Sequence, residues 1–382
     1  MNPNKIAFFK YQRPFVFPYS SPHTSRTSAE SVIVQLVFDE GISGYGESAP
    51  RDYVTGENCT SVHRVIKDVF SPILLHHHIS RLEDIQEVLE LLEHECTRRN
   101  LAHYNSALCA VDLALLDALG KFQKLPVTRY LGSIQKKSAP YSISLPLIPL
   151  EKIEDLFSKY HHLCFQHIKV LVGQDVKENV KRVELIRMRL GEDFDIRLEA
   201  NGKWTYPQAI SHLEKLVHYN VSAVEEPLPP GDIRGLQEIK KRFNLKIIVD
   251  ESMCTLSQAQ TLIEAGACDI MNIKISKCGG LLRSKTIAEF SADRGVPSSL
   301  GCHVGESEIL RKAGQHFAAT TPDLLFVEGY TDLLFQNSIQ PEKREAWTEG
   351  THKKQAHSGL GLEPGGSSLL KEWLIPLETI RP

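Results

Sequence analysis

After Lys137 the chain settles into a repeating rhythm in which short β-rich runs alternate with amphipathic helical stretches. The runs are YSISL, HIKVLV, DIRLEA, SAVEE, KIIVDE, DIMNIK, VPSSLG and LLFVEG, and between them lie stretches such as VKENVKRVELIRMRL, YPQAISHLEKLVHY and LRSKTIAEFSADRG. Strands joined through helices run parallel, because the crossover returns the chain to the same end of the sheet. Eight of them with right-handed crossovers favour a closed barrel. The open doubly wound sheet is the alternative, but no G-x-G-x-x-G follows a strand here.

The 382 residues suit a barrel of roughly 200–250 residues plus a smaller second domain. The first third reads as that second unit, a mixed α+β one. SVIVQLVFDE alternates and is rich in β-branched residues, as a strand does, and GISGYGES is a turn leading into another short strand. Apolar spacing from about Thr60 to Leu92 suggests two helices. NSALCAVDLALLDALGKF is a strongly apolar helix, with Asn105 or Ser106 as its expected cap and Gly120 near its end.

A formal net charge of −3 argues against nucleic acid or an anionic membrane as partner. No apolar run approaches the roughly 18 residues of a membrane span, and MNPNKIAFFKYQRPFVF has no sustained apolar core of a secretory signal, so the expected location is cytoplasmic. The eight cysteines include no C-x-x-C pair and sit mostly in apolar stretches, as buried free thiols do in a reducing compartment.

Active sites of such barrels lie at the C-terminal ends of the strands. The third strand finishes in Leu198-Glu199-Ala200-Asn201, the fourth in Val224-Glu225-Glu226-Pro227 and the fifth in Val249-Asp250-Glu251-Ser252. Carboxylates so gathered on one rim resist ionising together, and a hard divalent cation with oxygen ligands, Mg²⁺ above all with Mn²⁺ as the alternative, removes that cost. The competing reading is that each acid merely favours the start of the next helix. The sixth strand ends in Asn272-Ile273-Lys274, followed by Ile275-Ser276-Lys277-Cys278-Gly279-Gly280. Lys274 beside a metal site is a candidate general base, its amine expected to be lowered by burial and the cation. A structural salt bridge to Glu251 is the competing or concurrent role.

These motifs together resemble the enolase superfamily, specifically its mandelate racemase/muconate lactonizing enzyme branch, with loops closest to dipeptide epimerases and N-acylamino acid racemases. The resemblance rests on GYGESAP (Gly44–Pro50), the loop Tyr53-Val54-Thr55-Gly56-Glu57, NSALCAVDLALLDALGK, the three acidic strand ends and the lysine strand with its glycine pair. It implies a (β/α)7β modified TIM barrel at 138–340, under an α+β capping domain formed by residues 1–137 and the returning segment 341–382. It further implies a homo-oligomer acting on a small-molecule carboxylate. The chemistry implied is abstraction of the proton next to that carboxylate, with Mg²⁺ stabilising the enolate. Glu199, Glu225 and Asp250 match the metal ligands, Lys274 one acid/base lysine, and Lys169 a lysine beside the substrate carboxylate.

Two departures bear on the reaction. The strand-three ligand is normally Asp in D-A-N, and here it is Glu199 in E-A-N. The second strand normally ends in K-x-K, whereas an ungapped reading of His167-Ile168-Lys169-Val170-Leu171-Val172-Gly173 puts Leu171 at the second lysine. A shifted register would pair His167 with Lys169 instead. With Leu171 there, two-base racemisation is impaired. The expected outcome is an isomerase or cycloisomerase, with a one-base lyase such as a dehydratase or o-succinylbenzoate synthase-like enzyme as alternative. A ligand-binding relative without turnover is a third reading. Substrate contacts are expected from Tyr19, Arg26 and Tyr53 in the capping loops. From the barrel, Asn201, Glu251, His303, Glu306, Glu328 and Asp332 are the candidates. His303 is read either as an acid for a leaving group or as a hydrogen-bonded rim residue.

Overall fold

In the computed structural model the described residues are all but 136–137, 141, 161–164, 166, 323, 329–344, 349–357 and 363–371. The alternation in SVIVQLVFDE forms strand β2 (Ser25–Phe38), paired antiparallel on one side with β3 (Ser43–Ser48). Its other neighbour is β1 (Pro3–Ser20), an 18-residue strand that covers the N-terminal apolar patch and was not foreseen from the sequence. β14 (Leu374–Ile380) closes the far edge by pairing with β1, so the C-terminal end of the chain completes the N-terminal sheet. The expected pair of helices is a helix at Cys59–Val65 that runs through a π turn to Leu74, then a second at Leu82–Arg98.

The helix Asn105–Gln123 is buried along every residue from Ser106 to Gly120, which suits its apolar circumference. It lies directly on β3. A Cβ at Gly44 would sit 1.9 Å from the Ala114 carbonyl oxygen, and one at Gly46 would sit 1.8 Å from that of Ala110. The G-Y-G spacing and the small residues at i and i+4 therefore let strand and helix touch backbone to backbone. Neither Asn105 nor Ser106 caps this helix. Tyr104 is the cap residue, and the Glu57 carboxylate takes the N–H groups of Ser106 (2.8 Å) and Ala107 (3.1 Å) instead.

The eight barrel strands, all parallel, are β5 (Ser142–Leu145), β6 (His167–Leu171), β7 (Asp195–Glu199), β8 (Val221–Glu225), β9 (Lys246–Val249), β10 (Ile270–Ile273), β11 (Ser298–Leu300) and β12 (Leu324–Val327), in that spatial order. The fold is thus an α/β TIM barrel with an α+β cap. A short strand β4 (Ser138–Pro140) precedes the barrel and pairs with β13 (Glu345–Thr348). Among the described residues no helix is long and apolar enough to cross a membrane, and the seven described cysteines are free, Cys164 lying outside them.

Cap and barrel are joined by buried carboxylates that accept helix-end N–H groups. Glu47 on β3 takes the Ser307 N–H (2.8 Å), the Ser307 hydroxyl (2.6 Å) and the Leu310 N–H (3.1 Å) at the start of the helix Glu308–Thr320. Asp112 takes the Leu281 N–H (2.6 Å) at the start of Leu281–Ala292. Burial lifts the Asp112 carboxyl from its ordinary 3.8 to about 7, against the pull of the Leu281 and Leu282 N–H groups. A carboxyl raised on folding adds stability that is complete below its unfolded value and fades as pH climbs through its folded value. Relative to wild type, Asp112→Asn is expected to lose that slope, so chemical denaturation at pH 4, 5.5 and 7 should give a stability difference that shifts in favour of the variant as pH rises. An unchanged difference across the series would refute this.

Candidate active site

The registers Leu171↔Glu199 and Glu199↔Glu225 place these strand ends at one level, and Asp250, Lys274 and Glu328 each follow the last residue of β9, β10 and β12. Parallel pairing therefore carries the acidic and basic side chains to one mouth. Glu199, Glu225 and Asp250 are buried, and one oxygen from each lies within 4.8 Å of the others. The backbone turns sharply as it leaves β7 and β8: Asn201 and Glu226 have φ of +50° and +38°, left-handed values that non-glycine residues hold only when neighbours enforce them. Glu226 is enforced by its carboxylate, which accepts from the N–H groups of Asp250 (2.7 Å) and Ser252 (3.2 Å) and from the Ser252 hydroxyl.

Three lysines thread this acidic cluster. Lys169 Nζ stands 2.8 Å from Glu199, 3.2 Å from both Glu225 oxygens and 2.9 Å from Glu328. Lys274 pairs with Asp250 Oδ2, so its ion-pair partner is Asp250 rather than the expected Glu251. Lys277, whose role was not legible in the sequence, donates to the Asp250 carbonyl (2.7 Å), Asp250 Oδ1 (2.8 Å) and the Asn272 carbonyl (2.8 Å). Asn272 in turn donates to Glu225 Oε1 at 2.6 Å. The Asn272-x-Lys274 spacing is a strand alternation that aims both inward, a signal present in the sequence.

Burial and the neighbouring Glu225 push the Glu199 carboxyl well above the usual range, against Lys169. Burial acts the same way on Glu225 and Asp250, but the lysines outweigh it, Lys169 first at Glu225 and Lys274 first at Asp250, and both carboxyls are held low. Burial also pushes the Lys274 amine down, yet Asp250 and its acidic neighbours outweigh it and lift the amine well above its ordinary value. That is opposite to the direction expected from burial and a cation. Glu251 is pushed up to about 8 by burial, then by Asp250 and Glu226, and accepts from Asn201 Nδ2 at 3.3 Å.

The cavity above this floor is shared by barrel and cap. Lys169, Leu171, Glu199, Lys274 and Glu328 line it from the strand ends, and Asn201, Glu251 and His303 from the loops that follow. Tyr19, Arg26 and Tyr53 line it from the cap. Arg26 is partly buried there, with its Nε lacking a hydrogen-bond partner. Tyr53 stacks on His23, with ring centroids 4.3 Å apart. Arg51 also reaches the lining, but its guanidinium is committed to the Pro50 and Val304 carbonyls, each at 2.6 Å.

One expected residue, Glu306, lies elsewhere. Glu306 is absent from the lining and bends back to accept the His303 N–H at 2.7 Å, burial raising its carboxyl to about 8. Asp332 lies outside the described residues. His303 is held well below its ordinary value by burial and by Lys274 and Arg51. The neutral ring donates from Nδ1 to the Ala49 carbonyl at 2.6 Å and keeps Nε2 as an acceptor towards the cavity. His167 begins β6, paired with Asp195 at 2.7 Å, and is absent from the cavity lining, where Lys169 and Leu171 stand.

Beneath the floor lies a cation that the sequence reading passed over. Arg197 is buried over the Phe326 ring at 3.4 Å, with Nη1 3.6 Å from Glu328 Oε1. An arginine on β7 looks like an ordinary polar strand position, and only barrel closure shows that it is interior.

Three buried carboxylates offering hard oxygen ligands, with unpaired acceptors at Glu251 Oε2 and Asn201 Oδ1 nearby, suit a divalent metal ion. An eight-stranded parallel barrel that collects such a set beside strand-end lysines, under an antiparallel cap, is a barrel of the enolase type. Residues 5–132 match the family model described as "Mandelate racemase / muconate lactonizing enzyme, N-terminal domain", and residues 152–367 match "Enolase C-terminal domain-like". The chain belongs to the mandelate racemase/muconate lactonizing enzyme family of the enolase superfamily.

Among its relatives, an L-Ala-D/L-Glu epimerase of Bacillus subtilis is 30% identical over 330 residues, 85% of this chain and 87% of that one. The N-succinyl-L-Arg/Lys racemase of Bacillus cereus is 29% identical over 86% of both chains, and its crystal structure superposes over the full length of each with a TM-score of 0.88 at 27% identity. A dipeptide epimerase from Enterococcus faecalis, solved with Mg and the dipeptide L-Leu-L-Tyr, has a TM-score of 0.83 at 25% identity, covering 94% of this chain and 99% of that one.

Proposed function

We propose that this protein removes the proton α to the carboxylate of a small acid, Lys274 serving as the base, with an isomerase outcome. The observation that carries the reading is the common floor formed by Lys274 and the carboxylates of Glu199, Glu225 and Asp250 beneath capping loops. The relatives act on N-succinyl amino acids and dipeptides, both of which carry such a carbon. Glu199, Glu225 and Asp250 would hold Mg²⁺, which supplies positive charge for the substrate carboxylate oxygens as the α-proton leaves.

The chain's own groups divide the remaining work. Lys169, fixed by three carboxylates, stays protonated and presents a permanent cation to the substrate carboxylate. Lys274 abstracts the proton. What keeps its amine charged is chiefly Asp250, so a cation held by that carboxylate would leave less to oppose the downward push of burial. Arg26 and Tyr53 line the cavity from the cap and would meet a substrate side chain or acyl group.

The test is deuterium exchange by the wild-type protein with Mg²⁺ in D2O, using N-succinyl-L-arginine, N-succinyl-L-lysine, L-Ala-L-Glu and L-Leu-L-Tyr. Loss of the α-proton signal from at least one, abolished by chelation of the metal, is the expected result. A protein that exchanges none of them overturns the reading.

A further inference from the structure

The face of the cavity opposite Lys274 is where this site departs most from a symmetrical pair of bases. β6 and β10 are four strands apart in an eight-stranded barrel, so the end of β6 stands diametrically across from Lys274. The side chain there is Leu171, which lines the cavity and carries no exchangeable proton. Lys169, two residues earlier on the same strand, has its amine committed to Glu199, Glu225 and Glu328.

The cap supplies another group at this face. The β1–β2 hairpin reaches over the barrel mouth and is pinned on both sides of β6. The Ser20 carbonyl accepts the Leu147 N–H at 2.9 Å, just beyond β5, and His23 Nε2 donates to the Asn201 carbonyl at 2.8 Å, just beyond β7. The hairpin tip therefore straddles the end of β6. Tyr19, paired with Arg26 across the hairpin, points its hydroxyl inward to hydrogen-bond Ser144 on β5, and it lines the same cavity as Leu171. The residue as a whole is half-buried.

We propose that Tyr19 is the proton donor on the face opposite Lys274, taking over from the cap the role that Leu171 leaves vacant on the strand. This rests on the proton-abstraction reading above. In the step, Lys274 takes the α-proton from one face and the Cα–H bond breaks. The Tyr19 O–H bond then breaks as a new Cα–H bond forms on the other face, inverting the carbon. The protein is left with a Lys274 ammonium and a Tyr19 phenolate, and one proton passing from the first to the second through water restores it. No oxidant or further reactant is needed. Burial keeps the phenol protonated at rest, ready to give its proton, while the Lys169 charge and the Ser144 hydrogen bond favour the phenolate once formed, which takes the proton back when the reaction runs in reverse.

The experiment reads exchange and inversion separately, by NMR and by chiral chromatography, for the same four compounds in D2O with Mg²⁺. Wild type is expected to exchange and to invert. Tyr19→Phe is expected to invert about a hundredfold more slowly or worse, while washing out the α-proton with retention within a few-fold of wild type, because Lys274 can return a deuteron to its own face. Adding Leu171→Lys to that variant is expected to restore inversion. A Tyr19→Phe protein that inverts at the wild-type rate overturns the proposal, as does a wild type that exchanges without inverting. The latter leaves proton abstraction by Lys274 intact. A wild type that exchanges nothing removes the abstraction reading and the role of Tyr19 together.

Discussion

Lys274→Ala is expected to slow α-proton exchange by about 10²–10⁴-fold, the range a positioned general base contributes, with the fold and the metal affinity kept. The substitution removes one of two lysines on Asp250. Lys277 still holds Asp250 Oδ1 at 2.8 Å and its carbonyl at 2.7 Å, so that carboxylate is not left as a lone buried charge. Glu199 and Glu225 keep Lys169. Exchange measured by NMR, beside a metal titration of the same variant, separates the two contributions. Full exchange in Lys274→Ala would assign the base elsewhere.

Glu225→Gln is expected to weaken divalent-metal binding by more than about 100-fold, beyond what the loss of a mere supporting group costs. Glu225 is the central member of the cluster, fully buried between the strands that carry Glu199 and Asp250, and oriented by Asn272 at 2.6 Å. Glutamine keeps the shape and removes the charge. Binding carries a pH signature as well. The Glu199 carboxyl is held well above its ordinary range, and a carboxyl must lose its proton to ligate. Uptake should therefore release a proton, and affinity should rise with pH through the range where Glu199 titrates. Calorimetry with Mn²⁺ in buffers of different ionisation enthalpy counts that proton. Variant and wild type binding Mn²⁺ alike would remove Glu225 from the site.

Strand ends made the barrel and its acidic rim readable from the residues alone. Glu199, Glu225 and Asp250 each close an apolar run, and parallel pairing then requires that residues at equal depth meet. Partners across strands were less legible. Lys274 was matched with Glu251, but the carboxylate nearest its amine is that of Asp250, one residue earlier, because inward and outward positions are fixed only once the barrel closes. Lys277 drew no role from its place in the run after the sixth strand and is one of the largest fully buried side chains. β1 was missed because its apolar positions are irregular and interrupted by Pro14 and Pro18. Its pairing partners, β2 and β14, lie next to it and at the opposite end of the chain.

The carboxylates of Glu47 and Asp112 have a consequence for how the two parts of the molecule can move. Each belongs to the cap, yet the N–H groups it accepts begin barrel helices. Prising the parts apart would exchange those bonds for bonds to water, at a net cost of about 0.5–3 kcal/mol for each, more where the carboxylate is charged. Wholesale opening is thereby disfavoured, whereas the hairpin around Ser21–His23 meets the barrel mouth through far fewer such bonds, among them those at the Ser20 carbonyl and at His23.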